Sequence, residues 1–98
     1  MQIAIEDVLG NRLRVKILKV LFQMGELNVS EIARKIGANH KTVKEHLEVL
    51  KENGLLQYKK FGRIHLYRLN EGSVRAIALK KFMEAWETVE NFNASRNH

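Results

Sequence analysis

The chain has 98 residues, 45% of them hydrophobic, which predicts a single domain with one modest core. It has no cysteine, excluding disulfides, thiolate metal sites and cysteine nucleophiles, and no run approaches the roughly 18 to 20 apolar residues of a bilayer span. The net charge is +6 and is concentrated, because residues 34–69 hold nine basic and three acidic groups while 1–33 and 70–98 hold four of each.

A localised positive field suits a polyanion, most simply nucleic acid, although charge alone fits an acidic protein or a membrane surface equally well. The N-terminus lacks the basic-then-apolar pattern of a secretory signal, so a protein that stays where it is made is expected. Residues 1–10 read as an arm or short helix, with Ile3, Ile5, Val8 and Leu9 apolar. Asn11 is a good N-cap, and Leu13, Ile17, Val20, Leu21 and Met24 follow at helical spacing, which predicts a helix from Arg12 to Gln23 closed by Gly25. Asn28 and Glu31 have the spacing of a capping box, and Val29, Ile32, Ala33 and Ile36 form the inward face of a short helix ending at Gly37. Only Ala38 and Asn39 separate it from the next helix. There Val43, Leu47 and Leu50 make an apolar stripe with His46 at its margin, opposite Lys41, Lys44, Glu45, Glu48 and Glu52.

After Asn53 and Gly54 the period changes. LLQYKKFGRIHLYRL is rich in β-branched, aromatic and leucine residues and predicts a hairpin turning near Gly62, with Phe61 read as packed beneath it in preference to stacking on a base or sugar. A final helix is predicted over 73–92. Its Leu79, Phe82, Trp86 and Val89 fall at alternating spacings of three and four, the seam of a two-helix packing, and so predict a dimer interface that the N-terminal apolar residues can complete. The polar tail, 93–98, is expected to fray.

Two short helices joined by a tight glycine turn, the second polar on its outer face, make a helix-turn-helix. The first braces the second so that its N-terminal turns can enter the roughly 12 Å wide major groove. His40, Lys41, Thr42, Lys44 and Glu45 are the residues such a docking presents. Lysine donates to guanine O6 and N7, and threonine donates or accepts. Glu45 either accepts from cytosine N4 or pairs with Lys41. His46, at the edge of the apolar stripe, is read as a packing and hydrogen-bonding residue rather than a base reader.

The run LNVSEIARKIGANHKTVKEHLEVLKENGLLQYKKFGRIHLYRL resembles the winged helix-turn-helix of the ArsR-like family of prokaryotic and archaeal transcriptional regulators. Thr42, Val43, His46, Leu47, Leu50, Gly54, Leu55, Gly62, Tyr67 and Leu69 carry the likeness, which covers 12–69. It implies a mainly α fold with a small β-hairpin wing and a C-terminal dimerisation helix. It also implies that Arg63, near the wing tip, and Lys59 and Lys60, on its approach, meet the phosphate backbone or a minor groove, contacts that position without reading sequence. Many members of that family sense metals through cysteine, histidine and carboxylate clusters. With no cysteine and only His40, His46, His65 and His98, this chain is expected to hold no metal and no other cofactor.

The residues offer no Ser/His/Asp arrangement, paired carboxylates or phosphate-cradling glycine loop, so no enzyme activity is expected. The reading is a sequence-specific regulator of double-stranded DNA, a homodimeric repressor of the cytoplasm and nucleoid. Two alternatives stand beside it: an architectural binder with little sequence preference, and a winged-helix protein-interaction module. The one-signed charge of the middle third disfavours the second, because interaction surfaces are more apolar.

Overall fold

Each of the three central helices starts where an asparagine can satisfy its free amides. In the computed structural model, which describes residues 3–96, helix α1 spans Ile5–Leu9 and α2 spans Arg12–Met24. The Asn11 side chain caps α2 by accepting from the Arg14 amide at 3.1 Å. A two-residue strand β1, Leu27–Asn28, leads into α3, Val29–Ile36. Asn28 accepts from the Glu31 amide at 2.8 Å while Glu31 accepts from the Asn28 amide at 3.1 Å, completing the reciprocal capping box. Gly37, at φ 67° and ψ 43°, ends α3 in the left-handed region and turns the chain within three residues into α4, His40–Glu52. Asn39 caps α4, accepting from the amides of Lys41 and Thr42 at 2.8 and 3.3 Å.

The core forms where these helices meet. Ile17 of α2, Ile32 of α3, and Val43, Leu47 and Leu50 of α4 are all 0% exposed, and Leu21, Leu55 and Tyr67 are buried beside them. Each such side chain stabilises the fold by about 1.5–3 kcal/mol relative to exposure. Strands β2, Leu56–Phe61, and β3, Ile64–Leu69, form the hairpin, turning through Gly62 at φ 64°. The register runs from Leu56 opposite Leu69 to Phe61 opposite Ile64, and β1 adds to the far side of β3 through Leu27 opposite Tyr67. The sheet order is therefore β1-β3-β2, antiparallel throughout. The sequence does not announce β1, because two residues are too few for a period of two to show.

The base of the hairpin is fastened to α4. Tyr67, 1% exposed, donates its hydroxyl to Glu48 at 2.9 Å, and Glu48 also pairs with Lys51 at 2.8 Å. The Lys51 ammonium lies 4.9 Å from the centre of the Tyr58 ring, which is itself 5.3 Å from that of Tyr67. Glu48, expected on the outer face, is thus a half-buried anchor beneath the wing.

Helix α5 runs from Val74 to Arg96. Ser73 Oγ accepts from the Ala76 amide at 3.3 Å at its start. Its end, Arg96, lies beyond residue 92, and residues 97 and 98 of the polar tail lie outside the described residues. The helix is apolar on two stripes. Ala76 is buried and Leu79 and Met83 pack against the core, whereas Phe82, Trp86 and Val89 are exposed. At the other end of the chain Val8 is buried and Ile3 packs on the core, while Ile5 and Leu9 face outward.

Phe61 departs from expectation. It is 67% exposed, because the hairpin at its level has neither β1 nor a helix to cover it.

Leu47→Ala is expected to lower the free energy of unfolding by about 2–5 kcal/mol, and Asn39→Ala by about 0.5–2 kcal/mol. Urea titrations of the two variants against the parent chain measure both.

Candidate nucleic-acid interface

The stripe that buries α4 fixes which way its other residues point. With Val43, Leu47 and Leu50 fully covered, His40, Lys41, Lys44 and Glu45 are exposed and Thr42 is half-buried on the first two turns. A helix N-terminus also carries partial positive charge, so this end of α4 favours phosphate through its backbone as well as its side chains.

His40 and Lys44 line a cleft together with Arg63 and His65 of the wing and Ser30 of α3. Recognition helix, bracing helix and wing tip therefore converge on one basic opening. Lys41, Thr42 and Glu45 lie outside the cleft on the same two turns of α4. Among the described residues no ion pair joins Glu45 to Lys41; the pairs are Glu48 with Lys51 and Glu71 with Lys80.

The two wing lysines part company. Lys60 pairs with His65 and Lys59 with Leu66, and successive strand residues point to opposite faces. Lys60 shares the face of Tyr58 and His65, on the side of α4. Lys59 instead lines a groove with Glu26, Gln57, Tyr58 and Arg68, and neither lysine lines the cleft. Ser30 and His65 are among the cleft residues that sequence reading missed, with Asn28, Val29 and Ile64. For Ser30 a signal was available: it lies in the first turn of the helix that Asn28 caps.

His46 behaves as a packing residue. It is half-buried, and its Nδ1 accepts from Arg14 Nε at 3.1 Å, while Arg14 Nη1 donates to the Asp7 carbonyl at 3.2 Å. Burial, seconded by the Arg14 charge and opposed by Glu45, holds the imidazole below its ordinary 6.5. Glu48 is held below the usual carboxylate range by the hydrogen bond from Lys51, against burial and with help from Tyr67. Burial, then the bond to Glu48, pushes the Tyr67 phenol up.

Among the described residues no three histidine, cysteine or carboxylate groups gather as a metal site, and no helix is long and apolar enough to cross a membrane.

Comparison with known proteins gives a consistent answer. The family profile described as bacterial regulatory protein, arsR family, matches residues 11–58. The chain is 35% identical over 79 residues, 81% of its length, to a cadmium resistance transcriptional regulatory protein CadC homolog from Staphylococcus aureus, covering 65% of that protein. It is 33% identical over 79 residues to the arsenical resistance operon repressor of Escherichia coli, again 81% of this chain, and covers 67% of that protein. It thus spans about two thirds of the length of these curated relatives. Among solved structures it is similar to the homodimeric winged helix-turn-helix DNA-binding domain of a possible ArsR-family transcriptional regulator from Mycobacterium bovis. That likeness has a TM-score of 0.68 and 28% identity over 86% of this chain and 75% of that one.

The depressed His46 value has a signed consequence. The unfolded chain takes up this proton near pH 6.5 and the folded chain only lower, so the neutral imidazole's contribution is fully present above 6.5. It is lost as pH falls through the folded value. Urea midpoints of the parent should therefore drop between pH 7.5 and 5 by more than those of His46→Gln; equal drops would show that His46 does not carry the effect.

Proposed function

Because this chain belongs to the ArsR family of bacterial regulatory proteins, we propose that it is a sequence-specific double-stranded-DNA-binding transcriptional regulator, acting as a homodimeric repressor in the cytoplasm and nucleoid. The observation that carries this reading is the convergence of His40 and Lys44 of α4 with Arg63 of the wing on one exposed basic cleft. Lys41, Thr42 and Glu45, on the same turns, reach base edges in the major groove, while Arg63 and Lys60 hold phosphates.

Dimerisation is supported by apolar surface that one copy leaves in water. Phe82, Trp86 and Val89 are 52%, 61% and 60% exposed, while Leu79, the fourth residue of the predicted seam, is half-buried against the core at their edge. Ile3, Ile5 and Leu9 border Leu79 and Phe82 across a groove between α1 and α5, so one continuous face is available to a second copy. The homodimeric Mycobacterium bovis domain supports the same arrangement. A two-fold pair would set its reading helices about 34 Å apart on one side of the duplex, giving a pseudo-palindromic site. Occupying such a site blocks a promoter without chemistry, and no enzyme activity is proposed.

Selection of bound sequences from a random duplex pool should return two related half-sites separated by one helical turn; a featureless pool would overturn specific reading. If the dimer neutralises about six to ten phosphates, affinity should fall by roughly three to five orders of magnitude between about 50 and 200 mM salt. Lys41→Ala should relax preference at one position of each half-site by about 1–3 kcal/mol. Arg63→Ala should weaken all duplexes alike and reduce the salt slope by about one. Trp86→Glu should shift sedimentation toward the monomer, and an unchanged dimer would displace the interface from α5.

A further inference from the structure

The wing tip carries two large apolar side chains for which the fold has no use. Phe61 and Ile64 form the last register pair of the hairpin, on either side of Gly62 and Arg63, and are 67% and 50% exposed. Residues directly opposite on paired strands point to one face, so the two make a single apolar edge. Neither belongs to the core or packs against it. The other aromatic residues of the hairpin are all occupied: Tyr67 is buried on Glu48, and Tyr58 lies against Tyr67, His65 and Lys51. A hairpin tip is where a chain most easily tolerates polar residues, which makes an exposed Phe and Ile there informative.

The surroundings of this edge favour one occupant. Arg63 sits in the turn between the two residues, and Lys60 and His65 lie on the opposite face of the ribbon. Lys59, two residues before Phe61, shares the face of the apolar pair, so the tip presents apolar surface flanked by cations on both faces of the ribbon. It is also continuous with the reading helix, since Arg63 and Ile64 line the same cleft as His40 and Lys44. A protein partner would match the apolar edge but leave the flanking cations facing the core of the contact, where charge is depleted. The minor groove of a duplex matches both. Its negative potential, strongest where A·T runs narrow it, receives arginine and lysine, and Phe and Ile are among the side chains that wedge between base steps and kink the helix.

We propose that Phe61 and Ile64 form an apolar wedge that enters the minor groove beside each half-site, selects A·T-rich flanks and bends the duplex. The wedge rests on the DNA-binding reading above and adds to it a second specificity element, one that reads deformability rather than base edges. Lys41, Thr42 and Glu45 set the half-site, and the wing tip sets its flanks.

The test uses the full chain and an end-labelled duplex carrying the selected half-sites, with energy transfer between the ends reporting the bend. Binding of the parent chain should bring the ends closer, by a kink of about 20 to 90° per wedge, and should prefer A·T over G·C flanks about tenfold in competition. The double variant Phe61→Ala/Ile64→Ala should keep the half-site preference and the thermal midpoint while the transfer change disappears and the flank preference falls within about twofold. Phe61→Leu, which keeps an apolar side chain of similar reach, should retain most of both. A straight parent complex, or a double variant with unchanged bend and flanks, overturns the wedge and leaves the DNA-binding reading intact. A parent chain that binds no duplex overturns both. If the double variant instead alters sedimentation, the tip is a contact between copies and the wedge falls.

Discussion

Three side chains on one stripe of α4, Val43, Leu47 and Leu50, decide what the rest of the molecule can present. Successive helical residues point about 100° apart, so fixing this stripe against α2 and α3 leaves no freedom in the direction of positions 40, 41, 44 and 45. A rotation of α4 by one residue would expose a leucine and bury a lysine, two penalties at once. The short α3 and the left-handed Gly37 serve the same end from outside, setting where α4 begins and what braces it.

The wing depends on this helix in turn. Glu48 lies between Lys51 on its own helix and Tyr67 on β3, and Tyr58 closes the set through Lys51. The carboxylate meets both a cation and a hydroxyl, which accounts for its depressed value and allows a half-buried acid to sit under a hairpin without loss. The consequence is a division along the ribbon. Its base is fastened to α4, whereas Phe61 and Ile64 at the tip are exposed and lie outside the core.

Most of this organisation was legible in the residues. The asparagine caps at 11, 28 and 39, the glycine stops and the stripe of α4 are local signals, and local signals survive folding when tertiary packing agrees with them. His46 was legible too, since a ring at the margin of an apolar stripe needs a hydrogen-bond partner, and Arg14 supplies it. What escaped was non-local. β1 exists only because β3 offers it an edge, and Ser30 reaches the cleft only because α3 packs beside α4. Lys59 and Lys60 are neighbours in sequence and lie on opposite faces in space, a separation that follows from strand alternation once the register is known. An apolar Phe61 is expected underneath the hairpin, yet the sheet is only two strands wide at its level and has no layer there to receive it.

The chain has a single tryptophan, Trp86, which lies parallel to Phe82 with ring centres 6.1 Å apart and donates its indole N–H to Glu90 at 2.8 Å. Its ring is more than half in water within one copy, on the long terminal helix and away from the three-helix core. Intrinsic emission from this protein therefore reports the solvation of that one helical face. A blue shift on raising concentration registers a cover over α5, while melting of the core around Ile17 and Leu47 is followed by circular dichroism or by the tyrosines at 58 and 67.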